Sequence, residues 1–203
     1  MQQTGPQESS SSRDAVADRA RRLVAPVSLT LHKLHITPNE LTISGAALHL
    51  VAAWLIIADH SVIAGFVFVV GSLFDMLDGS LARLSAKVTP FGAFLDSTLD
   101  RASEGVILAA VTYQFAVQGH PVDAALVVLA LLGSLLVSYT RARAEALGVS
   151  AKLGIMSRPE RVVLIAIGLF FNVMPYAIYL LVVLTTFTVV QRVIFTYRAL
   201  KRV

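Results

Sequence analysis

Long apolar runs separated by short polar breaks organise the chain from residue 38 onward. The runs are continuous and do not alternate, so they predict helices and exclude a β-barrel. Most of them approach the ~20 residues needed to cross the hydrocarbon core of a bilayer. Six spans follow, at about 38–58, 61–83, 91–117, 122–146, 159–173 and 175–197. Ahead of them, Val16, Ala20, Leu23, Val24, Val27, Leu31 and Leu34 recur at helical spacing opposite Arg19, Arg21, Arg22 and Lys33. Residues 13–34 therefore predict an amphipathic helix on an anionic leaflet, bent near Pro26. Residues 1–12, MQQTGPQESSSS, are polar and predict a disordered tail without the charged-then-apolar order of a signal peptide. The expected plan is an all-α integral membrane protein: tail 1–12, juxtamembrane helix 13–34 and a six-helix transmembrane domain over 35–203.

Composition supports this plan. Of the 203 residues, 56% are hydrophobic and 15% charged, whereas soluble domains carry about a quarter charged residues. The absence of cysteine excludes disulfides and thiol chemistry. The excess of 17 Lys+Arg over 13 Asp+Glu reads as orientation and headgroup contact, with no nucleic-acid partner. Basic and non-basic loops alternate along the chain, and both termini are basic. This predicts a multi-pass protein of the cell membrane with both termini cytoplasmic.

Against this background, four acids stand out. Asp75 and Asp78 lie near the end of the second span; Asp96 and Asp100 lie near the start of the third. The topology puts all four in the cytoplasmic half, and their i,i+3 and i,i+4 spacings put each pair on one helix face. Carboxylates gathered this way cannot all stay ionised without cations between them. Hard oxygen donors suit Mg²⁺, Mn²⁺ or Ca²⁺, and two such ions form the usual clamp for phosphoryl chemistry. Gly79 permits close approach of a ligand, Arg83 one turn on can meet a phosphate, and Gly92 would let spans two and three pack closely. A cation transporter also accommodates four acids. It gives no role to Arg83 or to the arginines of the next cytoplasmic loop.

The order D-x2-D-G-x2-A-R-x8-G-x3-D-x3-D is met by Asp75, Asp78, Gly79, Ala82, Arg83, Gly92, Asp96 and Asp100. It resembles the signature of the CDP-alcohol phosphatidyltransferases, whose plan of six spans behind a surface helix matches most of the chain. The resemblance implies two Mg²⁺ ions, with Mn²⁺ as a substitute, on the pyrophosphate of a CDP-linked lipid such as CDP-diacylglycerol. It implies attack of an acceptor hydroxyl on the lipid-side phosphorus, with CMP leaving. Asp75 and Asp96 then bridge the metals, Asp78 binds one, and Asp100 binds the other and serves as base. Gly79, Ala82, Arg83 and Thr89 would contact the CDP moiety, as would Pro38, Asn39, Glu40 and Leu41. The resemblance also implies a homodimer.

The signature leaves the acceptor open among glycerol phosphate, inositol, inositol phosphate and serine. Arg141, Lys152, Arg158 and Arg161 flank the entrance to the acids, and Arg192 sits near the inner end of the last span. Arg141 and Arg192 each lie about a turn inside a span, deeper than membrane anchoring requires. Converging guanidinium groups fit an acceptor that carries a phosphate. The segments SYTRARAE and RPER resemble the actinobacterial phosphatidylinositol phosphate synthases. That resemblance implies inositol phosphate as acceptor, bound by Ser138, Arg141, Arg161 and Arg192. Phosphatidylglycerol phosphate synthesis is the runner-up, ahead of cation transport. His49 and Glu104 read as hydrogen-bonded groups within the bundle, and Trp54 and Tyr197 as interface anchors.

Overall fold

The computed structural model describes residues 36–85, 88–151 and 153–201, together with Val27, Thr30, Leu31 and Leu34. The expected tail at 1–12 and nearly all of the expected surface helix at 13–34 lie outside the described residues. Among the described residues, the six long elements are helices: α1 (Pro38–Ile57), α2 (Ser61–Leu84), α3 (Pro90–Val117), α4 (Pro121–Ala146), α5 (Arg158–Phe170) and α6 (Met174–Leu200). Their bounds fall within three residues of the expected spans.

Local chemistry explains where the helices start. Proline occupies the first or second position of α1, α3, α4, α5 and α6, where its missing N–H is no loss. Thr37 caps α1: its hydroxyl accepts from the Glu40 backbone N–H, and Glu40 Oε2 accepts from the Thr37 N–H at 2.7 Å. Thr89 caps α3 by accepting from the Gly92 N–H at 3.0 Å.

Short links at 58–60, 118–120 and 171–173 fold the chain into three helical hairpins, α1–α2, α3–α4 and α5–α6. Asp59 and Asn172 take left-handed φ values of 63° and 54° in two of these turns. The hairpins then close a ring, each helix packing mainly on two others in the order α1, α3, α4, α6, α5, α2 and back to α1. Ile107, Val111, Val127, Ile165, Leu169, Ile178 and Leu181 fill its interior.

The distribution of polarity is inverted relative to a soluble protein. Trp54, Phe66, Phe94, Tyr139 and Val183 face outward, while Thr42, His49, Asp78, Arg161 and Arg192 are buried. An apolar outer surface, with polar groups held inside the bundle, suits a bilayer. Four helices, α1, α2, α4 and α6, are long and apolar enough to cross one. α3 carries Asp96, Asp100, Arg101 and Glu104 between its second turn and its middle. α5 has 13 residues, about 20 Å at 1.5 Å per residue, short of the ~30 Å core.

Two features of the packing shape the site. At Gly45 of α1 an added Cβ would lie 2.5 Å from Asp75 Oδ1 and 3.1 Å from the Gly71 carbonyl oxygen of α2. This close approach seats Asp75. α2 and α3, in contrast, are not close neighbours: α1 packs on both. The expectation that Gly92 lets spans two and three pack closely is therefore corrected, since an added Cβ at Gly92 would meet Asn39 Oδ1 of α1 at 3.2 Å. A gap between α2 and α3 is what four like charges require.

Gly45→Ala is expected to lower the Tm of the purified protein in detergent by overpacking the α1–α2 contact, at a cost of about 1–3 kcal/mol. A Tm equal to the parent's would contradict this account of the crossing.

Candidate active site

The acids project from two helices that α1 holds apart. Asp78, 3% exposed, accepts from the Thr42 hydroxyl of α1 at 2.5 Å. Two turns further along α1, buried His49 has Nδ1 at 2.8 Å from the Gly45 carbonyl oxygen and Nε2 at 3.3 Å from Ser72 Oγ. Asp96 and Asp100 stand one turn apart on α3.

A third helix completes the cluster. Arg158, the first residue of α5, donates from Nη2 to Asp75 Oδ2 at 2.5 Å and lies 2.7 Å from Asp100 Oδ1. One guanidinium thus ties α2, α3 and α5 together. The second contact is an ion pair by distance but is not aligned as a hydrogen bond, because Asp100 Oδ1 is buried and has no hydrogen-bond partner.

The segment before α5 is pinned to α6. The Met156 N–H donates to Thr188 Oγ1 at 3.1 Å, and Arg192 Nε donates to the Leu153 carbonyl at 3.0 Å. Gly154 takes φ +130°, and an added Cβ there would strike Thr188 Cγ2 at 2.6 Å. The Ser157 N–H donates to Glu160 Oε2 at 3.0 Å and starts the helix at Arg158.

Among the described residues no three acidic, His or Cys side chains close into a ready-made metal cage. The donor set nevertheless fits a divalent cation. Four carboxylates lie on neighbouring turns of helices spaced apart, a positive charge already bridges two of them, and Asp100 retains an unsatisfied buried oxygen. Hard cations take such oxygens, and the absence of cysteine removes thiolate ligation of softer metals.

Two cavities flank the acids. One of about 340 Å³ is lined by Pro38, Asn39, Gly79, Ala82, Arg83 and Thr89, together with Asp78 and Asp96. Glu40 and Leu41 do not line it; Glu40 is engaged in the α1 cap and Leu41 is packed inside at 4% exposure. The second, about 400 Å³, brings together Ser138, Arg141, Arg161 and Arg192 beside Asp96 and Asp100. Asp96 lines both, so the two spaces meet at the acids.

Each arginine of the second cavity already has a partner within the fold. Arg161, 2% exposed, forms a two-point pair with Glu104, at 2.7 Å from Nε and 2.8 Å from Nη2. Arg141 pairs with Glu145 at 2.9 Å. Arg192 donates to the Leu153 and Val137 carbonyls. Sequence reasoning assigned Arg158 only to the cavity entrance, treated Glu104 as a generic bundle group and did not single out Thr42. For Arg158 a signal was present: a cation at the first position of a helix opposes the dipole and needs acids to hold it.

Comparison with known proteins agrees with this geometry. Residues 35–193 match the family model described as CDP-alcohol phosphatidyltransferase. The archaetidylinositol phosphate synthase of Pyrococcus horikoshii is 38% identical over 188 residues, covering 92% of this chain and 96% of the relative. The phosphatidylinositol phosphate synthase of Corynebacterium glutamicum is 37% identical over 185 residues, covering 86% and 84%. The crystal structure of the Mycobacterium tuberculosis phosphatidylinositol phosphate synthase with CDP-DAG bound superposes with a TM-score of 0.79 at 30% identity, covering 87% of this chain and 94% of that one. A second crystal structure of that enzyme, in complex with manganese and citrate, gives the same score and identity over 86% and 88%.

Breaking the buried Arg161–Glu104 pair from one side leaves a charge uncompensated. Glu104→Ala is therefore expected to destabilise by about 3–5 kcal/mol. The double variant Glu104→Ala/Arg161→Leu should be more stable than Glu104→Ala alone, as read by thermal unfolding in detergent. A double variant less stable than the single one would overturn this.

Proposed function

The chain belongs to the CDP-alcohol phosphatidyltransferase family, and from that membership we propose that it transfers the phosphatidyl group of CDP-diacylglycerol to inositol phosphate, giving phosphatidylinositol phosphate and CMP. It is a transferase enzyme and a membrane protein. The observation that carries the reading is the position of Asp96 on the boundary of both cavities. A donor in the cavity of Gly79, Ala82 and Arg83 and an acceptor in the cavity of Ser138, Arg141, Arg161 and Arg192 would have their reacting ends at the acids.

In this reading Asp75, Asp78, Asp96 and Asp100 would hold two divalent ions, Mg²⁺ or Mn²⁺. Bound there, the ions supply charge neutralisation at the donor's pyrophosphate. Pro38, Asn39, Thr89 and Arg83 orient the CDP-lipid, while Glu40 and Leu41 act indirectly by fixing the start of α1. The acceptor hydroxyl oxygen forms a bond to the lipid-side phosphorus as the bond to CMP breaks. Asp100 takes the hydroxyl proton. The low exposure of its side chain, 15%, keeps bulk water from competing for that position.

One observation favours an acceptor that carries a phosphate, and a second favours inositol phosphate among such acceptors. The second cavity presents arginines from four different helices, the donor arrangement a phosphate monoester needs. The two curated relatives are named for different lipids, archaetidyl and phosphatidyl, yet both are named for inositol phosphate. The wider reading keeps all six helices as spans in the cell membrane, behind a surface helix at 13–34. Both termini and the active site face the cytoplasm, and two copies form a homodimer.

CMP release from CDP-diacylglycerol, measured with inositol phosphate, inositol, glycerol phosphate and serine in turn, tests the reading. Inositol phosphate should be the best acceptor and free inositol a poor one; equal use of the two would refute the acceptor assignment. Asp96→Asn should abolish turnover at saturating Mg²⁺, and retained activity would sink the metal assignment.

Arg192→Ala should raise the KM for inositol phosphate by roughly 10- to 150-fold, the worth of one charge-assisted contact. The KM for CDP-diacylglycerol should stay near the parent's. A rise in the donor KM instead would place Arg192 on the other substrate.

A further inference from the structure

Arg158 stands on the boundary between the carboxylate cluster and the arginine-lined cavity, and the proposed function gives it no role. Its guanidinium bridges Asp75 on α2 and Asp100 on α3, two of the carboxylates assigned to divalent ions. The Asp75 side chain is 5% exposed, whereas that of Arg158 is 30% exposed, so one edge of the guanidinium is sunk among the acids while part of the side chain stays open. That open part belongs to the second cavity, which Arg158 lines together with Arg141, Arg161 and Arg192. Its place at the start of α5 is unfavourable for a cation, because the helix N-terminus carries a positive partial charge. The residue is therefore not explained as a helix stabiliser.

The same carboxylate oxygens cannot serve a guanidinium and a doubly charged ion at once. Like charges a few ångströms apart in a weakly polar site repel strongly. A divalent ion must displace the guanidinium, and the space next to it is already cationic. Arg141 and Arg161 are balanced there by Glu145 and Glu104, but Arg101 and Arg192 bond backbone carbonyls. Another cation enters that cavity favourably only in company with an anion, and a phosphate monoester supplies about two negative charges.

We propose that Arg158 is an exchangeable counter-ion. Without divalent cations it holds Asp75 and Asp100 together; when cations take those carboxylates it turns into the second cavity and meets the acceptor's phosphate. This rests on the assignment of the acids as metal ligands. It adds that metal and phosphate bind with positive coupling, because each removes an obstacle to the other. Arg158 is a positioning residue for the metals and a specificity residue for acceptors carrying phosphate.

The test uses the purified full-length protein in detergent, with Mn²⁺ and inorganic phosphate as probes. Free Mn²⁺ is followed by electron paramagnetic resonance, and unfolding by a thermal melt. Removing the competing guanidinium in Arg158→Gln should tighten Mn²⁺ binding about tenfold or more, the worth of one charge-assisted contact. In EDTA the variant should melt below the parent, and the gap should close at saturating Mn²⁺. Phosphate should tighten Mn²⁺ binding to the parent and have little effect on the variant. Should the Gln variant fail to fold, Arg158→Lys retains the charge without the planar fork, and its Mn²⁺ affinity should lie above the parent's. Parent-like or weaker Mn²⁺ binding by the folded variant, with the same loss of Tm in EDTA and in Mn²⁺, would make Arg158 an ordinary structural ion pair and overturn the proposal. A parent that binds no Mn²⁺ would overturn the metal assignment itself, a distinct result.

Discussion

Four carboxylates inside an apolar bundle impose the constraint on which the rest of this structure depends. An isolated ion in such a medium is prohibitively unfavourable, so every charge near the cluster has to be answered by another charge or a directed hydrogen bond. Asp78 is answered by Thr42, and Asp75 and Asp100 by Arg158. The same rule governs the neighbouring cavity, where Glu104 answers Arg161 and carbonyls answer Arg192. Charge balance, rather than apolar packing, determines which helix ends meet here.

Packing supplies the frame that makes this balance geometrically possible. α1 carries few charges, yet it organises the site by touching both acid-bearing helices and keeping them apart. Its small residue Gly45 lets α2 approach until Asp75 lies over it, and Asn39 receives the first turn of α3 beside Gly92. The long connection from α4 to α5 is held down on α6 through Thr188, Arg192 and Gly154, and it delivers Arg158 to the acids from α5, the second neighbour of α2 in the ring. The first turn of α5 thereby takes part in the site.

The two cavities meet at one aspartate, Asp96. On the proposed reading the cavity of α1, α2 and α3 takes the donor and the arginine-bearing one takes the acceptor, so either side can change while the other stays the same. Relatives named for two different lipids but a common phosphorylated inositol are consistent with separate control of the two sides.

Much of this was legible in the amino-acid order because it is local. Hydrophobic runs located all six helices to within three residues, since bilayer solubility is a property of each segment. The i,i+3 and i,i+4 spacings placed each aspartate pair on one face, since helical geometry needs no partner to be known. Pro38, Asn39, Gly79, Ala82, Arg83 and Thr89 in one cavity, and Ser138, Arg141, Arg161 and Arg192 in the other, were identified by resemblance of short motifs. Only the tertiary structure decided that α1 separates α2 from α3, that Glu104 holds Arg161, and that Arg158 neutralises Asp75 across 83 positions of chain. Those are pairings between helices. Many arginines near a loop have the same local signature, and the one that reaches the acids is selected by how the ring closes.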